Sequence, residues 1–100
     1  MFEDLDPLLH SQLRLAVMSI LVRSESAEFT SIQEETGSTA GNLSVQINKL
    51  KEAGYIDIEK KFKGNYPQTI CRITPLGIEK FNQYVNSIRG YFESGDKGKP

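Results

Sequence analysis

Residues 29–74 have the sequence FTSIQEETGSTAGNLSVQINKLKEAGYIDIEKKFKGNYPQTICRIT, which contains the clearest structural signals in the chain. A short helix is predicted over residues 30–36, because Thr30 can cap its first turn and Gln33 completes a capping-box pattern. Gly37 comes next, and glycine commonly ends a helix. The chain is therefore predicted to turn sharply at Gly37.

A second helix is predicted over residues 39–53, directly after this turn. Ser38 and Thr39 can cap its start, and Gly54 can end it. Its apolar residues recur at steps of three and four, which places them on one side of the helix. These residues are Ala40, Leu43, Ile47 and Leu50. Two helices joined by a tight turn are typical of the helix-turn-helix motif.

After Gly54 the apolar period changes from near 3.6 residues to two, which indicates strands. A β-hairpin is predicted over residues 55–73, with turn-forming residues at 63–67 between its strands. The positions predicted to face inward are Ile56, Ile58, Phe62, Cys71 and Ile73. Because lysines surround the turn, the hairpin is predicted to have a basic tip.

A helix is predicted before this stretch, over about residues 7–23. Asp6 can cap its first turn, and Pro7 suits the first helical position because no backbone N–H is needed there. Apolar residues occur on two faces of this helix, so it needs two surfaces to pack against. Residues 24–28 are predicted to be a polar loop.

The last helix is predicted over residues 75–92, capped at Thr74 in the same way, and residues 94–100 are predicted to be a disordered tail. The order of elements is then α-α-α-β-β-α, a mostly helical α+β chain with a small β-hairpin. That order is the winged helix-turn-helix architecture, predicted here as a single domain over residues 1–93.

The net charge of −1 conceals an uneven distribution of charge. Residues 1–36 carry two basic and seven acidic side chains, whereas residues 37–72 carry six basic and three acidic ones. A basic surface over the helix-turn-helix and hairpin predicts a double-stranded DNA partner. Arg72 is not counted among the DNA contacts, because from the second strand of the hairpin it can pair with Asp57 or Glu59 on the first.

The helix predicted over residues 39–53, the third along the chain, is predicted to enter the major groove of DNA, which is about 12 Å wide. The hairpin is predicted to contact the DNA backbone or the minor groove. The exposed polar side chains of this third helix are short and include no arginine, which favours contacts with A·T base pairs. The predicted contacts from the helix are Ser38, Thr39, Gly41, Asn42, Ser44, Val45, Gln46, Asn48 and Lys49. Those from the hairpin are Lys60, Lys61, Lys63, Asn65 and Tyr66.

A homodimer is predicted from the two terminal helices. The first helix has a spare apolar stripe, and the last carries an apolar heptad seam. The predicted dimer interface contains Leu8, Leu15, Phe81, Tyr84, Val85 and Ile88. In the alternative arrangement the first and last helices cover each other within one chain. A two-fold dimer would require a pseudo-palindromic site with half-sites about one DNA turn apart.

The chain resembles the small, stand-alone MarR-like winged-helix regulators of bacteria and archaea. The resemblance covers residues 5–81 and rests on LDPLLHSQLRLAVMSIL, TGSTAGNLSVQINKLKEAGYIDIEKKFKG and ICRITPLG. It implies a homodimer that places two third helices in successive major grooves, with the wings alongside. It also implies DNA contacts from Ser38, Thr39, Asn42, Ser44, Gln46, Lys61, Lys63 and Asn65.

Composition argues against several other classes. One cysteine, Cys71, and one histidine, His10, can form neither an internal disulfide nor a closed zinc site, and no cofactor is expected. Cys71 is predicted to fill a strand position rather than to act as a nucleophile, so no enzymatic activity is expected. The acidic start lacks the basic region of a secretory signal, and no apolar run is long enough for a membrane span. A cytoplasmic location without membrane contact is expected.

One alternative function comes from a different class. Winged helices also serve as subunit contacts in larger assemblies, and the overall acidic charge favours such a protein-interaction module. A small-molecule effector is a further possible partner, in a groove between the dimer helices and the DNA-binding lobes. No polar cluster in the sequence marks that groove.

Overall fold

The computed structural model describes residues 2–97, with side chains as far as residue 93. This part of the chain forms four helices and three strands, in the predicted winged helix-turn-helix order with one strand added. The elements are α1 (Gln12–Ser24), β1 (Ser26–Glu28), α2 (Phe29–Thr36), α3 (Ala40–Glu52), β2 (Ile56–Lys63), β3 (Tyr66–Ile73) and α4 (Pro75–Lys97). The strands form one antiparallel sheet in the order β1-β3-β2.

The core lies between α1, the helix-turn-helix and the inner face of the sheet. The apolar stripe of α3 is buried as predicted at Leu43, Ile47 and Leu50, whereas Ala40 at its start is exposed. The buried residues that meet this stripe include Val17, Met18, Leu21, Ile32, Ile56, Cys71 and Ile73. Because Leu43, Ile47 and Leu50 anchor one side of α3, its opposite side is held outward.

The predicted polar loop at residues 24–28 is wrong, because three of these residues form β1. Ala27 lies opposite Cys71 in an antiparallel pairing with β3. A three-residue strand is too short to show a period of two, and its partner lies more than forty residues along the chain. The strand matters for the site because it leads directly into α2 without an intervening loop.

The first helix begins at Gln12 rather than near residue 7. Asp6 does cap a turn, since its Oδ1 accepts a hydrogen bond from the Leu8 backbone N–H at 2.9 Å, but that single turn stops before α1. The other oxygen, Oδ2, accepts a hydrogen bond from the Tyr55 hydroxyl at 2.6 Å. Asp6 is therefore held by a residue 49 positions away, a tertiary contact that local capping rules do not contain.

The caps of the helix-turn-helix agree with prediction at α3 and differ at α2. α2 begins at Phe29 with no side-chain cap, so the predicted cap at Thr30 is wrong, and the chain enters α2 straight from β1. Gly37 has the predicted turn conformation, with φ of 68°. The Thr39 side chain accepts a hydrogen bond from the Asn42 backbone N–H at 3.1 Å, which confirms the α3 cap.

The hairpin turn is tighter than the predicted 63–67. It consists of Gly64 and Asn65 alone, with Gly64 at φ 64°, and Lys63 pairs directly with Tyr66. Phe62 was predicted to face the core, and it does lie on the inner side of β2, but it is 73% exposed. The hairpin extends past the end of the core, so the alternation continues where the described residues no longer cover the strand.

α4 begins as predicted and ends later. The Thr74 side chain accepts a hydrogen bond from the Gly77 backbone N–H at 2.9 Å, which confirms its cap. The helix then continues past residue 92, because no proline interrupts it and a glycine costs only about 1 kcal/mol relative to alanine. The predicted disordered tail is therefore helical at residues 94–97, and its remainder, 98–100, lies outside the described residues.

Alkaline pH is expected to weaken the fold. Burial, the hydrogen bond to Asp6 and the charge of Asp6 raise the pKa of Tyr55 from 10.0 to about 12, and burial raises that of Cys71 from 9.0 to about 11. The unfolded chain therefore loses these protons first. The stability they confer is fully present below about pH 9 and is lost progressively as pH rises towards 12.

Urea denaturation between pH 7 and pH 11 measures this loss. Tyr55→Phe is expected to show a shallower fall in the free energy of unfolding, since the buried phenol no longer titrates. Tyr66→Phe is the matched control, because Tyr66 is exposed and should leave the wild-type pH dependence intact. Equal alkaline slopes for wild type and Tyr55→Phe would contradict the role of the Asp6–Tyr55 contact.

Candidate nucleic-acid interface

The outer side of α3 is exposed, polar and free of acidic residues until Glu52. Its members project away from the buried stripe because both sets follow the helical period of 3.6 residues. Val45 is the one large apolar side chain among them and is 51% exposed. The exposed set contains Gly41, Asn42, Ser44, Val45, Asn48 and Lys49, all predicted as DNA contacts.

The start of α3 is organised by short hydroxyl side chains. Ser38 is half-buried, and its Oγ lies 2.8 Å from the Thr36 Oγ1, so it stabilises the turn between the helices. Thr39 serves as the cap. Next to them, a Cβ built on Gly41 would meet nothing within 4 Å, so the backbone at this end of α3 is open to a close approach.

Gln46 differs from the rest of the predicted helix contacts. It is half-buried, and both ends of its amide are engaged. Its Oε1 accepts a hydrogen bond from the Arg14 guanidinium of α1, and its Nε2 donates to the Asn42 Oδ1 at 3.0 Å. Arg14 also donates from Nε to the Leu8 carbonyl at 2.6 Å. Gln46 therefore connects α1 to the exposed face of α3.

Arg14 was not among the predicted site residues. The sequence signal for it is weak: a basic side chain among apolar ones in an acidic segment. Its partner Gln46 lies 32 positions away, so no local pattern could pair the two residues.

The lysines of the hairpin lie on two faces of the sheet. Lys61, Lys63 and Tyr66 share the outer face, because strand residues alternate between faces and Lys63 pairs with Tyr66. Tyr66 is 78% exposed. Lys60 lies on the inner face, where it borders a groove of about 270 Å³ that also includes Ser44 and Asn48 of α3. The inner face of the hairpin thus continues the exposed surface of α3.

No carboxylate within residues 2–93 forms an ion pair with these lysines. Asp57 lies opposite Arg72 in the strand register, but their charged groups are not within the 4 Å of an ion pair, so the suggested Arg72 pairing is absent. Arg23 and Glu35 form the one ion pair of the described side chains, at 3.7 Å, and it includes no residue of the hairpin. The charges of Lys60, Lys61 and Lys63 are therefore available to an external anion.

Five of the six residues predicted for a dimer interface are covered at least partly by their own chain. Leu8, Leu15, Phe81 and Ile88 pack partly against the core of their own chain. Tyr84 is buried within the chain, with its hydroxyl 2.9 Å from the Nδ1 of His10. The terminal helices thus do cover each other in part, as the intrachain alternative predicts, and Tyr84 has little surface left for a partner.

A second apolar stripe of α4 is less covered. Ile78 is 42% exposed and Phe92 is 70% exposed, with half-buried Val85 between them. These three residues are spaced by seven, so they lie along one line of the helix. We call this line the outer stripe of α4.

The structure also bears on two other possibilities, a reactive thiol at Cys71 and a membrane-spanning helix. The Cys71 side chain is fully buried, and its pKa is raised to about 11, the opposite of what a thiolate nucleophile requires. Among residues 2–97, no helix combines the length and hydropathy that crossing a membrane needs.

Comparison with known proteins places this geometry among DNA-binding folds. Residues 13–92 match the family of winged helix DNA-binding domains. The uncharacterised protein MJ0432 of Methanocaldococcus jannaschii is 30% identical over 79 residues, which are 79% of this chain and 86% of that protein.

Two solved structures extend the comparison. A transcriptional regulator homologue from Pyrococcus horikoshii OT3 has a TM-score of 0.84 at 28% identity, over 89% of this chain and 88% of its own. Bacillus subtilis PadR, solved with operator DNA, has a TM-score of 0.68 at 16% identity, over 80% of this chain and 48% of its own. At that identity PadR shares the fold alone.

Proposed function

This chain belongs to the family of winged helix DNA-binding domains, and from that premise we propose that it binds double-stranded DNA as a homodimer and regulates transcription. The predicted likeness to MarR-like regulators is confirmed at the level of family and fold. The observation that carries the proposal is a continuous exposed surface, formed by the outer side of α3 and a hairpin whose lysines form no ion pair with a carboxylate of residues 2–93.

α3 is the element proposed to enter the major groove. Asn42 and Ser44 can hydrogen-bond base edges, and Val45 can contact a thymine methyl group because its side chain is half exposed. Asn48 and Lys49 lie towards the carboxy-terminal end of α3, where we propose that they contact the DNA backbone. Gln46 is assigned a supporting position beneath Asn42, since its amide is already hydrogen-bonded at both ends.

The hairpin is proposed to hold the protein on the DNA backbone. Lys61 and Lys63 present two charges on one face, and Tyr66 beside them can pack along a sugar. Lys60 and Asn65 complete the set from the inner face and the turn. Phosphate contacts of this kind supply affinity without sequence information.

The dimer is proposed to form through the outer stripe of α4, together with the exposed parts of Leu8, Leu15, Phe81 and Ile88. Self-association through one such surface produces two-fold symmetry. In the proposed dimer the axis relates the two α3 helices so that both face the same DNA duplex. The proposed DNA site is then pseudo-palindromic, with half-sites about one turn apart. The role is a binding one and involves no cofactor.

A salt titration of DNA binding tests this function. For a random-sequence duplex, log Kd is expected to rise steeply with log salt concentration, because binding releases condensed counterions. Lys63→Ala should weaken binding to all sequences alike and lower that slope by about one. Fluorescence anisotropy with labelled duplexes provides both measurements.

Lys80→Ala is the matched control, since it removes the same charge from α4, away from α3 and the hairpin. It should leave the slope unchanged. Equal slopes for wild type and Lys63→Ala would remove the hairpin from the interface. Failure of the wild-type protein to bind duplex DNA at low salt would overturn the function and favour the protein-interaction module.

A further inference from the structure

Three side chains form a line of hydrogen bonds from the amino-terminal turn to the exposed surface of α3. The Leu8 carbonyl accepts from Arg14 Nε, a second guanidinium nitrogen of Arg14 donates to Gln46 Oε1, and Gln46 Nε2 donates to Asn42 Oδ1. Arg14 and Gln46 are half-buried, whereas Asn42 is exposed. The line therefore ends where DNA is proposed to bind.

The guanidinium of Arg14 determines which atom donates and which accepts in each of these hydrogen bonds. A guanidinium has only donors and no acceptor, so the end of the Gln46 amide that faces it must be the oxygen. The Gln46 nitrogen then faces Asn42, and the Asn42 oxygen must face Gln46. Arg14 thereby excludes the flipped arrangement of both amides, although it never touches Asn42.

The consequence for Asn42 is that its two ends are no longer equivalent to a ligand. Its Oδ1 already accepts a hydrogen bond from Gln46 and is held towards that side chain, with one lone pair unused. Its Nδ2 has no acceptor among the described side chains and backbone of residues 2–97, so both of its N–H groups are free. An asparagine that reads adenine uses its oxygen and its nitrogen together, whereas guanine presents two neighbouring acceptors, N7 and O6.

We infer that Arg14 is a positioning residue that presents Asn42 to the major groove as a hydrogen-bond donor, so that guanine is selected over adenine at the base facing Asn42. The inference rests on the proposed DNA binding and goes beyond it, because it names a base preference and the residue that sets it. It also reverses, at this one position, the A·T preference expected from the composition of α3.

Selection from a randomised duplex pool, followed by sequencing of the bound fraction, tests this assignment. The wild-type protein is expected to enrich guanine at one position of each half-site, and Asn42→Ala identifies that position by losing the preference there. Arg14→Met keeps an unbranched stem but removes the donors. It should shift the same position towards adenine, with the guanine-to-adenine ratio falling about tenfold, while the other positions stay unchanged.

Two further variants separate positioning from folding. Gln46→Leu breaks the line at its middle and should cause the same shift, so the test survives if Arg14→Met is poorly folded. Arg23→Met is the matched control, because Arg23 is an exposed arginine of α1 whose partners, Ser19 and Glu35, lie outside the line. In an Asn42→Ala background, Arg14→Met should change the selected sequence no further.

The outcomes distinguish the positioning role of Arg14 from the proposed DNA binding on which it rests. Enrichment of a site by wild type, with the same base preference in Arg14→Met and Gln46→Leu, would overturn the positioning role and leave DNA binding intact. Adenine at the Asn42 position of the wild-type site would overturn it as well. A wild-type protein that enriches no sequence would overturn sequence-specific binding itself, and the positioning role with it.

Discussion

Replacing Gly77 by alanine is expected to lower the free energy of unfolding by about 3 kcal/mol. A Cβ at this position would lie 2.1 Å from the Tyr55 carbonyl oxygen and 2.9 Å from Cγ1 of Ile73. The carbonyl cannot move aside freely, because it accepts a hydrogen bond from the Thr74 backbone N–H at 3.1 Å. Helix α4 can approach the end of α3 and the sheet this closely only without a side chain at Gly77.

Thermal unfolding followed by circular dichroism measures the effect, and a fall in Tm of roughly 15 °C is expected for a chain of this size. Gly90→Ala is the matched control in the same helix, since a Cβ there would meet nothing within 4 Å. That variant should gain about 0.5–1 kcal/mol from the higher helix propensity of alanine. Similar stability of the two variants would show that the contact at Tyr55 relaxes without cost.

The elements that local chemistry determines were predictable from the sequence. Thr39 and Thr74 cap their helices as expected, because a hydroxyl can satisfy a free N–H a few residues ahead whatever the rest of the chain does. Gly37 takes the left-handed conformation that ends α2. The exposed side of α3 followed from helical geometry alone, since Leu43 and Ile47 define its buried side.

Elements that depend on distant partners were not predictable in this way. β1 exists because Ala27 meets Cys71 across the sheet, and α1 begins late because Asp6 is held by Tyr55. The exposure of Phe62 has a related cause. Alternation along a strand indicates which face a residue is on, but not where the core ends.

The candidate site shows the same division. The sequence predicted which side of α3 faces outward, but the Arg14–Gln46 contact that orders Asn42 joins residues 32 positions apart. The apolar seam of α4 was predicted as one surface, and it divides into two. Phe81 and Ile88 pack against their own core, whereas Ile78 and Phe92 remain exposed. Only packing could separate the two sets, because a heptad pattern does not identify the partner.

That division leads to the prediction for the dimer. Val85→Glu places a carboxylate in the middle of the outer stripe of α4, and two-fold symmetry would bring two such carboxylates together. Burying a carboxylate without a partner costs several kcal/mol, so the variant is expected to be monomeric at micromolar concentration by light scattering. Its affinity for a duplex with two half-sites should fall about 100-fold, because linked binding of the second half-site is lost.

Binding to a duplex with a single half-site distinguishes loss of the dimer from unfolding of the variant. A monomer that keeps α3 and the hairpin intact should bind a duplex with one half-site within about twofold of the wild-type protein, since no DNA contact has changed. Ile78→Glu, at a more exposed position of the same stripe, should reproduce both results if Val85→Glu unfolds.

Asn86→Glu is the matched control, because it introduces the same side chain at an exposed position about 100° around α4 from the outer stripe, and this variant should remain dimeric. A dimeric Val85→Glu and a dimeric Ile78→Glu, both with wild-type affinity for the paired half-sites, would place the interface elsewhere. Since the contacts proposed for α3 come from only a few short polar side chains in each subunit, loss of paired binding is expected to remove most of the affinity. The outer stripe of α4 would then contribute as much to DNA recognition as α3, the helix proposed to read the bases.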